Sequence, residues 1–317
     1  MGLNDHQVSE LNELFKQELI DARGASKMDD DLQTIETAVK KAFKYIEFKF
    51  DMLNPDGSNI WSHFYGLDRT IGGFPLSELI IFAGNQGVVI SALALNVAHN
   101  VADKSQLPVL IYSARGKLSG MEIGLWLMSS VSKVPLRCLS NGIMFDQDWF
   151  DLVNAARQTY NLPIFIKWSE GIYEKDMVLK MKHFISEQNI GLVIIDASYQ
   201  QLYPDKVKEN DSGFLQALKT TTKKLKIPVI VTCTLKQSEN ESMDSSDSYY
   251  LQQLACLEQY TDFSCYLNMK ADCPNQSKGF HEKLVEFEIR KHPRGGPRKF
   301  YLAFSEGTVT IKDINYS

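Results

Sequence analysis

The stretch FYGLDRTIGGFPLSELIIFAGNQGVVISALALNVAHNVA, Phe64 to Ala102, decides the class of fold. Inside it, Leu79 to Ala83 is a continuous apolar run, the length of a strand buried on both faces, closed by Gly84-Asn85-Gln86-Gly87. Apolar residues then recur from Ala92 to Val101 at helical spacing. Buried strand, glycine-bearing turn and helix, in that order, form the opening unit of an α/β sheet.

The same alternation continues towards the C-terminus. Further short apolar runs lie at Pro108 to Ser113, Leu162 to Ile166, Gly191 to Ile195 and Pro228 to Thr232. Helical patterns fall between them at Met121 to Val131, Phe145 to Tyr160, Lys175 to Gln188 and Phe214 to Leu225. Runs such as LVII and PVIVT are strands of a parallel sheet covered on both faces, so the domain is a doubly wound α/β structure. Three later runs, Phe263 to Met269, Leu284 to Ile289 and Lys299 to Phe304, extend the sheet, with antiparallel pairing favoured. Gln237 to Tyr249, QSENESMDSSDSY, is polar and acidic and is expected to be a solvated loop.

Towards the N-terminus the texture is helical. Val8, Leu11, Leu14, Phe15 and Leu19 mark one amphipathic helix, and Leu32, Ile35, Val39, Phe43, Ile46 and Phe50 mark a second, which ends at the turn signal Asn54-Pro55-Asp56-Gly57. Residues 1–55 are thus expected to form a helical arm and 56–317 the α/β domain.

Composition narrows the functions open to such a chain. Of 317 residues, 44% are apolar and 23% charged, which suffices for one large core plus an appendage. A formal net charge of -5 argues against bulk electrostatic attraction to nucleic acid. Cys138, Cys233, Cys256, Cys265 and Cys273 are scattered without metal-ligand spacing, so they read as buried or incidental thiols. The N-terminal residues lack a signal-peptide pattern and no run is long enough to span a bilayer, which points to the cytoplasm and away from membranes.

From Phe64 to Ala102 the chain is laid out like the entry to the motor domain of DnaB-type replicative DNA helicases. Further segments keep that family's order and spacing: PVLIYSARGKLSGMEI, FDQDWFDLVNAA, GLVIIDASYQQL, LKTTTKKLKIPVIVTCTL, LEQYTDF and RKHPRGGPRKFYLAF. The chain therefore resembles that family over roughly residues 30 to 312. The resemblance implies a RecA-like P-loop NTPase fold; a recombinase-like or circadian-clock-like ATPase on the same core is the alternative. It also implies that Leu32 to Phe50 occupies the place of the linker helix, which in the family packs on the neighbouring subunit of a hexameric ring. Residues 1–31 are too few for the family's usual N-terminal domain, which is expected to be missing or cut to one helix.

What the resemblance implies for the site is a set of replacements. A phosphate loop needs glycines that let backbone N–H groups face the phosphates, a lysine for the outer phosphates and a hydroxyl for Mg²⁺. The corresponding segment here is Gly84, Asn85, Gln86, Gly87, Val88, Val89, Ile90 and Ser91. Val89 stands at the family glycine and Ile90 at the lysine, and the hydroxyl survives as Ser91. No lysine lies between Glu78 and Asp103, so no shift of alignment restores one. Arg115 stands where the family has the glutamate that activates water, and a permanently protonated arginine is no general base. Asp196 matches the Walker B aspartate, either as a metal ligand or as an inherited or helix-capping acceptor. Lys291 matches the lysine that reaches a neighbour's phosphate; Pro293 stands at the arginine, with Arg294 one residue late. Thr234 replaces the glutamine after the sensor strand.

The family's basic DNA-contacting loop corresponds to the stretch carrying Glu239, Glu241, Asp244 and Asp247 after a single Lys236. Cations are needed for phosphate contacts, so weak or no single-stranded DNA binding follows. Two basic groups remain, Lys219, Lys223, Lys224 and Lys226 in one, and Arg290 to Lys299 in the other.

Three readings of function stand together. The first is a non-catalytic DnaB-like paralogue that binds or regulates, with a replicative helicase or its loader as partner and no cofactor. The second is an ATP-dependent DNA helicase of low activity that still takes ATP and Mg²⁺. The third is a self-assembling structural module. A monomer or small oligomer is expected in isolation, with the family hexamer as the alternative.

Overall fold

A computed structural model describes residues 34–53, 59–114, 118–169, 177–197, 209–235, 246–272, 282–292 and 298–314. The helix expected over Val8 to Leu19 lies outside them. By its internal contacts the chain divides into two units, 1–52 and 53–317.

The described part of the first unit is α1, Ile35–Leu53. Thr34 caps it: its hydroxyl accepts from the Thr37 amide at 3.3 Å and its carbonyl from the Ala38 amide at 3.0 Å. Lys40 pairs with Glu36 one turn earlier at 2.9 Å. Ile35, Val39 and Phe43 fall on one exposed stripe. The sequence pattern places this helix at Leu32 to Phe50, and the structure carries it to Leu53.

The second unit is built on one nine-stranded sheet in the order β3-β2-β4-β5-β1-β6-β7-β8-β9. Its strands are β1 Leu79–Gly84, β2 Val109–Ala114, β3 Ile164–Ser169, β4 Leu192–Ala197, β5 Val229–Thr234, β6 Phe263–Asp272, β7 Glu282–Lys291, β8 Arg298–Ser305 and β9 Thr310–Asp313. The helices between them are α2 Tyr65–Ile71, α3 Gly87–Lys104, α4 Gly120–Ser132, α5 Leu136–Asn141, α6 Asp146–Tyr160, α7 Met177–Gln188, α8 Glu209–Leu225 and α9 Ser246–Glu258. Strand parity sorts the core into two layers. Ile80, Phe82, Ile111, Ile194, Ile230, Leu267 and Phe287 face α3 and α4, whereas Leu79, Ile81, Tyr112, Val193, Ile195 and Val231 face α7, α8 and α9. This is the expected mostly parallel sheet with helices on both sides.

Two expectations need correction. β6 joins β1 in parallel, and only β7, β8 and β9 are antiparallel. The cause is α9, which begins at Ser246, inside the stretch read as a loop. It supplies the crossover that a parallel strand requires. Serine and aspartate at its start look like loop residues but suit the first turn of a helix. Residues 236–245 lie outside the described residues.

The lead-in to β1 is fixed by one carboxylate. Asp68 accepts from the Ser62 amide and hydroxyl at 2.9 and 2.7 Å and from the His63 amide at 2.8 Å. Asp313, at the end of β9, accepts from the amides of Tyr65 and Gly66 at the start of α2. Both ends of the α/β unit are thereby tied to α2.

Candidate functional site

Parallel strands place their carboxyl ends along one edge of the sheet, where α/β folds gather their polar chemistry. In this chain β2, β4 and β5 carry a row of polar residues there, in register: Ser113 beside Asp196, and Asp196 beside Thr232. All three share the parity of the side chains facing α3, so the row lies beneath the first turns of that helix.

Asp196 is the centre of the row and is only 3% exposed. The Ser91 hydroxyl, reaching down from α3, lies 3.0 Å from both of its carboxylate oxygens. Thr232 donates to Oδ1 at 2.7 Å and accepts from the Ala197 amide at 2.9 Å, which locks its rotamer. A carboxylate buried this deeply is tolerable because hydroxyls satisfy it. Ser113 donates to the Leu118 carbonyl at 2.8 Å. Arg115 itself lies outside the described residues.

Between β1 and α3 there are only two residues. Gly84 ends the strand so close to β6 that a Cβ there would collide with the Leu267 carbonyl oxygen, so the site tolerates no side chain. Its own carbonyl accepts from the Leu235 amide at 2.8 Å. Asn85 and Gln86 make the turn, and α3 begins at Gly87 with Gln86 as its N-cap. The Gln86 carbonyl accepts from the amides of Val89 and Ile90 at 3.2 and 3.3 Å. Val88 is partly buried and packs on the core, Val89 is buried, and Ile90 is 0% exposed. The Ile90 Cδ1 lies 3.3 Å from where a Gly84 Cβ would stand. The segment from Gly84 to Ser91 is thus a short turn running into a helix whose first turn is packed inwards.

Two polar atoms beside this turn, Asn85 Oδ1 and Thr234 Oγ1, are buried without a hydrogen-bond partner among the described residues. Thr234 pairs with Gly84 across the sheet. Lys291, at the far end of β7, gives its ammonium to the carbonyls of Glu258 and Thr261, both at 2.6 Å, and so holds the end of α9. Arg294 lies outside the described residues. The structure therefore brings Ser91 and Asp196 together and places Lys291 on carbonyls of its own chain. Thr232 and Ser113 are not singled out by the sequence reading; their signal is polar residues at the same parity at the ends of apolar strands.

The domain model for the DnaB-like helicase C-terminal domain matches residues 59–313. The chain belongs to the DnaB-like helicase C-terminal domain family. It is 27% identical over 281 residues to a probable replicative DNA helicase of Trieres chinensis, covering 86% of this chain and 59% of that one. It is 28% identical over 271 residues to the replicative DNA helicase DnaB of Geobacillus stearothermophilus, covering 83% and 57%. The chain thus spans under two thirds of the length of these relatives. Among solved structures, a DnaB-like replicative helicase described with its primase interactions is similar at a TM-score of 0.63 and 22% identity, over 95% of this chain and 71% of that one. A separately solved ATPase domain has the same TM-score at 21% identity, over 90% of this chain and all of that one. At these identities the likeness shows the fold.

No group of metal-ligating side chains stands out among the described residues, and no helix among them is long and apolar enough to cross a membrane. Cys233 and Cys265 are buried thiols, in keeping with the structural reading of the cysteines.

Proposed function

We propose that this DnaB-like chain does not run an ATP cycle and works by binding other proteins. One observation carries the reading: the residue at the family lysine position, Ile90, is wholly buried in the core. Two amides of the segment expected to face phosphate, those of Val89 and Ile90, are already bonded to Gln86. Ser91 and Asp196 do supply the oxygen ligands a hard cation takes. A triphosphate, however, finds no cation from this segment, and losing one charge-assisted contact alone costs about 1.5 to 3 kcal/mol. On this reading the Ser91–Asp196–Thr232 cluster serves to anchor α3 on the sheet.

Binding surfaces support the second half of the proposal. On α6 and the edge strand β3, the large apolar side chains Phe145, Trp149, Phe150, Val153, Ile166 and Trp168 are exposed. Asp146 and Arg157 share that exposed face of α6, whereas Asp148 and Asp151 lie towards its inner side near Ala155. The exposed stripe of α1 is bordered by the Lys40–Glu36 ion pair. A helix of the α1 kind from another DnaB-type chain matches the α6 surface in hydrophobicity. The partner is therefore a DnaB-type helicase or its loader.

Melting the protein with and without millimolar ATP and Mg²⁺ tests the first half, because a ligand of the folded state must raise the melting temperature. No shift and no DNA-stimulated ATPase are expected; a shift of several degrees would overturn the reading. The retained Ser91–Asp196 pair favours a second reading, a weak ATP-dependent helicase, which the same assay would reveal. Single-stranded DNA is expected to bind no tighter than about 10⁻⁵ M at physiological salt.

A further inference from the structure

Away from the α3 site, a cavity of about 280 Å³ opens where the end of α4 meets the last strands, lined by Lys133, Glu282, Ser305, Thr308, Thr310 and Lys312. We propose that this cavity binds a small phosphate group, free or as a monoester. The inference does not depend on whether the chain uses ATP.

Charge points to an anion. Lys312 is paired with Glu282 at 2.5 Å, whereas among the described residues the Lys133 ammonium bonds to neutral acceptors, the Ser130 carbonyl at 2.5 Å and Thr310 Oγ1 at 3.4 Å. Two lysines against one glutamate leave one positive charge in the cavity. Desolvation of the ammonium and the nearby Lys312 both lower the pKa of Lys133, with Glu282 opposing them. An anion between the two lysines would relieve that repulsion.

The hydroxyls supply direction. Thr308 donates to Ser305 at 3.0 Å and lies 2.9 Å from the Thr310 hydroxyl, and Thr310 donates on to Ser130, which donates to Asn96. Ser305 accepts in this chain, so its own proton is available to a ligand oxygen. The wall is rigid: Val309 between the two threonines has φ 47°, a left-handed conformation unusual for a β-branched residue, and the Asn96 amide holds its carbonyl at 3.1 Å. Lysines and hydroxyls at the wall of a small cavity are the donors a tetrahedral oxyanion takes. A lysine at the end of α4 would also suit the helix dipole alone, and that role predicts no ligand.

The two are separated by titrating the full chain calorimetrically with inorganic phosphate and, separately, with glycerol 3-phosphate, at ionic strength held constant with chloride. Saturable one-to-one binding at about millimolar levels or tighter is expected. Lys133→Gln and Lys312→Gln should each weaken it about tenfold. Glu282→Gln should tighten it several-fold by removing a like charge and releasing Lys312. Tighter binding of glycerol 3-phosphate would identify the monoester as the ligand, and equal or weaker binding the free ion. Absence of saturation, or the same affinity in the wild type and both lysine variants, would overturn the proposal. If Lys133→Gln does not fold, Lys312→Gln at an exposed position carries the test.

Discussion

Ile90 shows how one side chain separates a fold from its chemistry. An isoleucine in the first turn of a helix behind a buried strand is a good core residue, and 0% exposure is what its chemistry favours. Restoring the family residue should therefore not restore the family's site. Ile90→Lys is expected to cost about 3 to 5 kcal/mol in urea unfolding, the penalty of an unpaired buried charge, and to gain no thermal shift with ATP and Mg²⁺. Ile90→Val, which only trims a methyl group, should cost about 0.5 to 1.5 kcal/mol. A stable Ile90→Lys protein that binds ATP would mean that the start of α3 can unwind into a phosphate loop. The replacement at residue 90 was legible in the sequence because a lysine is recognisable by type. Its consequence was not, since burial of Ile90 depends on how β1, β6 and α3 meet around Gly84.

Among elements, the strand cores were legible and their ends were not. Each parallel strand from β1 to β5 runs past the apolar run that marks it, to Gly84, Ala114, Ser169, Ala197 and Thr234. Ladder bonds belong to the backbone, so the strand continues after the apolar pattern stops. The polar row at Ser113, Asp196 and Thr232 lies at or just beyond those stops, which is why Asp196 was visible as a motif and its partner Thr232 was not. The β7–β8 pair was legible as two strands, but the ion pairs on its charged face were not. There Glu288 accepts from Arg290 at 2.7 Å and from Lys299 at 3.0 Å, and Lys299 also reaches Glu286 at 3.0 Å. Desolvation pushes Glu288 upwards, but the hydrogen bonds and charges of Arg290 and Lys299 together outweigh it and hold its pKa below the usual 4.5. Hydrogen bonds to Glu288 and Glu286 in turn raise the pKa of Lys299. A carboxylate whose folded pKa is lowered stabilises the fold above its unfolded pKa and loses that contribution as pH falls through the folded value. Glu288→Gln should thus lower the urea midpoint at neutral pH, and the gap to wild type should narrow as the pH falls through the lowered pKa of Glu288 and the wild-type carboxylate takes up its proton. A gap independent of pH would show that the ladder contributes through packing alone.

For the whole molecule, the decisive question is whether the arm belongs to the α/β unit's own core or serves another chain. Among the described residues, both apolar clusters of that unit draw their side chains from Ile60 onwards. By its internal contacts the chain divides after Met52. The exposed Ile35, Val39 and Phe43 then form a stripe that gains free energy only when covered, at roughly 25 cal/mol per Å² of apolar surface removed from water. Covering it by a DnaB-type partner is what the proposed function requires. Deleting residues 1–55 should leave a cooperatively melting α/β unit and abolish co-purification with a DnaB-type helicase from the native host. Light scattering of the intact chain without nucleotide should give a monomer or small oligomer. A stable hexamer in that measurement, or a truncated chain that still holds the helicase, would refute the arm as the docking element. An insoluble truncation would instead assign α1 to the protein's own core.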